Sequence, residues 1–191
     1  MTKSINTKTM FNKSDIAAIA LYQLGGSLRY IHHEDVAIKA SQLSPKMFSW
    51  EKYPEQINLE MVRLALKNES AKVGGRVSGG IRDGWMLTPH GLSWCLAKVS
   101  GASNKFPREQ IHKEITRMTK NETFNKVVSN KASEITDNDL KALIRIDEYF
   151  SARNRSERIM ALANVAVIEP KLKQILITLK DRGLIKPEVE L

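Results

Sequence analysis

The segment from Gly74 to Gly84 limits what this chain can fold into more than any other part of it. It holds five glycines in eleven residues, which excludes a helix because each glycine costs about 1 kcal/mol relative to alanine in a helix interior. Asp83-Gly84 is a hairpin signal, and the apolar run Trp85-Met86-Leu87 follows it directly. The segment therefore predicts a short glycine-rich β-hairpin.

Apolar residues recur at helical spacing on both sides of this hairpin. Before it, we predict three helices: one capped at Ser14, a second from His33 to Leu43 that Pro45 closes, and a third from Asn58 to Ala71. After it, Thr88 suits an N-cap and Pro89 suits the first helical position. The predicted order is helix, helix, helix, hairpin, helix.

The connection between the second and third predicted helices is long and rich in aromatic residues. Because exposed aromatic rings in a loop would be costly, we expect Phe48, Trp50 and Tyr53 to pack back on the core. The link spans about a dozen residues, whereas a tight helix-turn-helix uses three or four.

The second half of the chain is predicted to be all helix after a linker at residues 101–107. One helix is expected at 108–121, with a continuation at 123–131. A second is expected to begin after a capping box at Thr136, and a third at 155–166. A last helix is expected to begin at Pro170 and to end before Gly183. The predicted fold class is mainly α with a small β-hairpin.

The element order resembles the winged helix-turn-helix superfamily of DNA-binding proteins, and the strand-to-helix run WMLTP is the most specific part of that resemblance. In such proteins the third helix reads DNA and the hairpin is the wing. The resemblance covers about Ser14 to Val99 and implies a winged-helix domain at 14–100. The residues themselves predict a flexible arm at 1–13, a linker at 101–107 and a helical domain at 108–191. The runs FSWEKYPEQINLEMVRLAL and DGWMLTPHG also resemble small accessory proteins of bacterial defence or restriction cassettes.

The charge of the chain is compatible with a polyanionic partner. Thirty Lys and Arg against 21 Asp and Glu give a net charge of +9. Arginine and asparagine are the commonest readers of guanine and adenine, and arginine also enters the minor groove. The candidate DNA-binding residues lie on the third helix and the hairpin: Asn58, Arg63, Lys67, Ser70, Arg76 and Arg82.

An alternative interpretation stays open for these residues. Glu60 and Glu69 share the third helix, and Met61 and Leu64 widen its apolar surface, so the helix can serve mainly for packing while its charges are solvated. The hairpin arginines can likewise be solvated charges.

Two further basic clusters either contact DNA phosphates that flank a binding site or form solvated helix faces. They are Arg153, Arg155 and Arg158 between two predicted helices, and the group Lys105, Arg108, Lys113, Arg117, Lys120, Lys126 and Lys131.

The sequence offers little for catalysis. No Gly-Lys-Ser/Thr follows the glycines, no nucleophile stands with a base, and the adjacent His32 and His33 are expected to be surface residues rather than metal ligands. Cys95 is expected in the core. No apolar run approaches the roughly 18 residues of a membrane span. We therefore expect a cytoplasmic protein that is not an enzyme and uses no metal or cofactor.

These observations predict binding of double-stranded DNA, by a transcriptional regulator or a DNA-recognition component. The C-terminal helices would form a homodimer interface or dock on a larger assembly, with no membrane involved. The alternative is a non-enzymatic protein-interaction subunit of a multi-component bacterial complex of the defence type.

Overall fold

A computed structural model describes residues 11–99 and 105–185. The predicted fold class is confirmed: the chain is mainly helical, and its two strands pair as one antiparallel hairpin. None of the helices in those two ranges combines the length and the apolar character needed to cross a membrane.

The first half contains five helices and the hairpin, and the order of the predicted elements is confirmed. They are α1 (Lys13–Gln23), α2 (His33–Leu43), α3 (Pro45–Phe48), α4 (Leu59–Ser70), β1 (Val77–Gly80), β2 (Gly84–Leu87) and α5 (Pro89–Lys98). The second half, from residue 105, is helical: α6 (Lys105–Thr119), α7 (Glu122–Val128), α8 (Asp137–Leu143), α9 (Ala152–Ile168) and α10 (Lys173–Asp181), with 3-10 turns at Ala132–Glu134 and Pro170–Leu172.

Local capping chemistry sets where these helices begin. The Thr88 hydroxyl accepts the Gly91 N–H at 3.1 Å, and Pro89 follows at the first helical position, as predicted. The capping box at Thr136 is also confirmed. The predicted cap of α1, Ser14, lies two residues too late, because Asn12 is the N-cap and exchanges hydrogen bonds with Asp15.

The link between α2 and α4 differs from the prediction in two ways. Pro45 ends α2 but also begins the short helix α3, where proline suits the first position. Phe48 is buried as expected, but Trp50 is 48% and Tyr53 57% exposed. Their segment bonds to itself, with the Trp50 N–H on the Gln56 carbonyl at 3.3 Å, so it projects from the core instead of lying on it.

The hairpin is joined to the rest of the fold through β2. Trp85 exchanges two backbone hydrogen bonds of 2.8 Å with Ile31, and the Leu87 N–H donates to the Gly26 carbonyl at 2.8 Å. One side of β2 is thus taken by the segment between α1 and α2, and the other side by β1. As a result β1 is the outer strand.

Helix α9 packs against the first half of the chain. Asn164 on α9 is fully buried, and its amide nitrogen donates to the Ser27 carbonyl at 2.8 Å and to the Leu87 carbonyl at 2.9 Å. Buried residues from both halves form one hydrophobic cluster. The predicted linker falls partly on residues 100–104, which lie outside the described ranges, and its last three residues are already helical in α6. Most of the predicted arm, residues 1–10, also lies outside those ranges.

Candidate nucleic-acid interface

The exposed face of α4 is centred on Glu60, Leu64 and Lys67, at positions i, i+4 and i+7. Leu64 is 39% exposed. Arg63 lies beside this line and donates two hydrogen bonds to the Glu60 carboxylate, so the pair is neutral as a unit. Lys67 is exposed and forms no salt bridge with any residue that the structure describes. The face is therefore mixed rather than strongly basic.

The other two α4 candidates are used within the protein. The Asn58 side chain is the N-cap of α4 and accepts the Met61 N–H at 3.0 Å, and the residue is buried. The Ser70 hydroxyl donates to the Lys67 carbonyl at 3.0 Å. Neither side chain is presented to a groove in this arrangement.

Arg76 is placed inside the protein and not on an exposed hairpin. It is 8% exposed, its Nε donates to Glu69 and its Nη1 to Asp15, both at 2.6 Å, and its guanidinium lies 4.3 Å from the ring centre of Trp94. The hydrogen bond from Arg76 is the main cause that lowers the pKa of Glu69 from 4.5 to about 2. Arg76 thus connects α1, α4 and α5. The prediction that it is an exposed DNA-binding residue is wrong.

The close approach of α5 to the Arg76 backbone requires a glycine at position 91. A Cβ at Gly91, in the first turn of α5, would lie 2.0 Å from the Arg76 carbonyl oxygen. Only glycine lets α5 approach that closely. Within the hairpin, Gly79 has φ +121 and a Cβ there would lie 2.1 Å from the Gly84 oxygen, so this glycine is also required by the fold.

The tip of the hairpin is held by α9. Arg153 donates from Nε to the Asp83 carbonyl at 2.9 Å, and its guanidinium lies 5.4 Å from the ring centre of Tyr30. Arg82, next to Asp83, is exposed, and no described residue forms a salt bridge with it. Arg82 is thus a free positive charge on a fixed support.

Among the six predicted DNA-binding residues, Lys67 and Arg82 are exposed cations without a salt bridge to a described residue. Arg63 is also a cation, but Glu60 neutralises it. Sequence reasoning missed Asn68, which is exposed next to Lys67, although an outward position could be read from the α4 periodicity. It named Arg153 only as part of a cluster, because the contact with Asp83 spans 70 residues.

The larger basic cluster is also partly neutralised. Arg117 pairs with Glu114 at 2.7 Å and also donates to the Leu143 carbonyl, and Lys126 pairs with Glu122 at 2.8 Å. Lys105, Arg108 and Lys113 on α6, and Lys120 directly after it, remain exposed.

The structure also places Cys95 and the two adjacent histidines, His32 and His33. Cys95 is buried, as expected, and burial raises the pKa of its thiol to about 12, which makes it unreactive. The side chains of His32, His33 and Glu34 bring one ligand atom each within 4.8 Å of one another, and the His32 Nδ1 accepts the Glu34 N–H at 3.4 Å as the cap of α2.

No family model, curated protein or solved structure matches this chain. The candidate interface consists of a capped helix that carries Lys67 and a fixed hairpin that carries Arg82.

Proposed function

We propose that this chain binds double-stranded DNA without catalysis, through the exposed face of α4 and the tip of the β1–β2 hairpin. The observation that carries the proposal is the pair of exposed cations Lys67 and Arg82, neither of which forms a salt bridge with a described carboxylate. They lie on the helix and the hairpin that the winged-helix resemblance assigns to DNA, in a chain of net charge +9.

In this proposal the two cations contact phosphates, and the small residues of the hairpin allow a close approach to the backbone. Asn68 and Arg63 are the α4 side chains proposed to contact base edges, and Arg63 must leave Glu60 to make such a contact. Arg76 contributes indirectly, because it fixes α4 relative to the hairpin. A regulator or a DNA-recognition component, acting as a homodimer or in a larger assembly, remains the proposed context.

One observation favours a second function, a protein-interaction subunit. Glu60 and Leu64 lie at the centre of the exposed α4 face, and Leu59, Trp50 and Tyr53 add exposed apolar surface on or next to this helix. Such a mixed face is less suited to a phosphate backbone than to a protein.

A salt titration separates the two functions. We expect a labelled random-sequence duplex to bind at 50 mM salt. Its affinity should fall at least about tenfold by 200 mM, because contacts to two phosphates release the counterions condensed on them. Fluorescence anisotropy measures the affinity. Absence of binding at 50 mM, or an affinity that does not change with salt, would contradict DNA binding and favour the protein-interaction function.

A further inference from the structure

The start of α2 brings two imidazole rings and a carboxylate together. The side chains of His32, His33 and Glu34 each place one possible ligand atom within 4.8 Å of the other two. The Nδ1 atom of His32 lies 3.8 Å from a carboxylate oxygen of Glu34, and the centres of the two imidazole rings lie 4.3 Å apart. Three groups that commonly bind metal ions therefore meet at one point of the surface.

The backbone at His32 explains why the two neighbouring rings meet. Successive side chains on a helix diverge by roughly 100°, so two adjacent helical histidines would be separate surface residues. His32, however, is the N-cap of α2 and has an extended backbone, with φ −64 and ψ 143, whereas His33 is the first helical residue. The change of conformation between the two residues removes the divergence that a continuous helix would impose.

The ring nitrogens of this cluster are poorly used within the protein. The Nδ1 atom of His33 is buried and forms no hydrogen bond with any residue that the structure describes. The Nδ1 atom of His32 accepts the Glu34 N–H at 3.4 Å, which is a long hydrogen bond. Buried polar atoms are rarely left unpaired, and neutral imidazole is the commonest metal ligand in proteins. The cluster thus offers lone pairs to a cation.

The charge around the cluster also suits a cation. A helix N-terminus carries partial positive charge and by itself repels a metal ion. The first turn of α2 contains two carboxylates, Glu34 and Asp35, which offset this charge. Within the described ranges, no Lys or Arg forms a salt bridge with either of them. Negative charge therefore remains for an ion at this end of the helix.

We propose that His32, His33 and Glu34 bind a divalent transition-metal ion, and that this ion is Zn²⁺. Two histidines and one carboxylate are the donor set of zinc sites that keep a fourth position open for water or another ligand. Zinc bonds of about 2.0–2.2 Å place tetrahedral ligand atoms roughly 3.3 Å apart, so each side chain has to move by about an ångström or less. Mg²⁺ and Ca²⁺ prefer oxygen ligands and are not expected to bind.

The position of the site gives the ion a structural effect. His32 directly follows Ile31, whose backbone exchanges two hydrogen bonds with Trp85 of β2. A bound ion would fix the start of α2 next to this contact and so stabilise the folded chain. The site lies beyond the proposed DNA interface and does not depend on it, because neither Lys67 nor Arg82 contributes to it.

A calorimetric titration of the full chain, free of any histidine tag, tests the proposal with zinc chloride as the probe. We expect one Zn²⁺ to bind per chain and no binding of Mg²⁺ at the same concentrations. At a zinc concentration about a hundredfold above the dissociation constant, the midpoint of thermal unfolding should rise by about 5 °C or more.

Asparagine variants identify the ligands. His32→Asn keeps a side chain that caps helices well but removes the imidazole. This variant and His33→Asn should each weaken zinc binding at least about tenfold and lose the rise of the unfolding midpoint. His90→Asn and His112→Asn are the matched controls, because they change the other two of the four histidines, both exposed, and should bind zinc as the native chain does.

Four results would overturn the proposal. The first is no saturable zinc binding, and the second is binding that His32→Asn and His33→Asn leave unchanged. The third is an unchanged zinc affinity in Glu34→Gln, which would reduce the site to two histidines. The fourth is one Zn²⁺ for every two chains together with dimer formation, which would assign the ion to an interface between two copies.

Discussion

Replacing Arg76 with methionine is expected to lower the free energy of unfolding by about 3 to 5 kcal/mol. Methionine keeps much of the side-chain length but leaves Glu69, which is almost fully buried, without its main partner, and Asp15 without its ion pair. Breaking a buried pair from one side costs far more than the pair itself contributes, because the buried Glu69 charge then keeps only Lys72, whose side chain is 57% exposed. Chemical denaturation monitored by far-ultraviolet circular dichroism measures the loss.

The pH dependence of this loss identifies its cause. The folded-state pKa of Glu69, about 2, lies below the ordinary 4.5. Its contribution to stability is therefore present above pH 4.5 and is lost as the pH falls from 4.5 towards 2. The gap between the native protein and the Arg76→Met variant should narrow over that interval.

Arg82→Met is the matched control, since Arg82 is exposed, and it should change stability by less than about 0.5 kcal/mol. Equal losses for the two variants, or a gap that does not narrow in acid, would contradict a buried role for Arg76.

Replacing Asn164 with aspartate is the second large expected effect, a loss of about 3 kcal/mol or more at neutral pH. The amide nitrogen of Asn164 donates to two backbone carbonyls in a fully buried place. A carboxylate of the same shape would direct negative charge at both oxygens, with no donor to replace the lost hydrogen bonds. Denaturant unfolding at pH 7 measures the effect.

The control for this variant is Asn154→Asp, the same chemical change on an exposed residue in the first turn of α9. Acidic residues are tolerated at helix starts, so we expect a change within about 0.5 kcal/mol. If both variants were equally stable, the hydrogen bonds of Asn164 would not hold α9 against the loop at Ser27 and against β2.

Local chemistry made much of this fold predictable. The bounds of α2 match the prediction, and Thr88-Pro89 begins α5 as expected, because N-caps, prolines and turn glycines act on neighbouring residues. The hairpin follows from Asp83-Gly84 and the apolar strand after it for the same reason.

The placement of side chains was harder to predict, because it depends on residues far apart in the chain. The local sequence predicts Arg76 as a solvent-facing hairpin residue. Its burial depends on Asp15, 61 positions earlier in the chain, whose carboxylate lies 2.6 Å from the Arg76 guanidinium. Trp50 and Tyr53 looked like core residues because of their size, yet the backbone bonds of their own segment carry them outward. Nothing in the local spacing distinguishes these outcomes.

The central claim, that Lys67 and Arg82 form the DNA contact, is tested most directly by a charge-reversal comparison in the duplex titration. The double variant Lys67→Glu/Arg82→Glu is compared with Lys171→Glu/Lys173→Glu, which changes the net charge equally at exposed residues before and at the start of α10. We predict that the first variant binds at least about tenfold more weakly than the second at 50 mM salt and has a shallower salt dependence. Equal affinities for the two variants would contradict the claim.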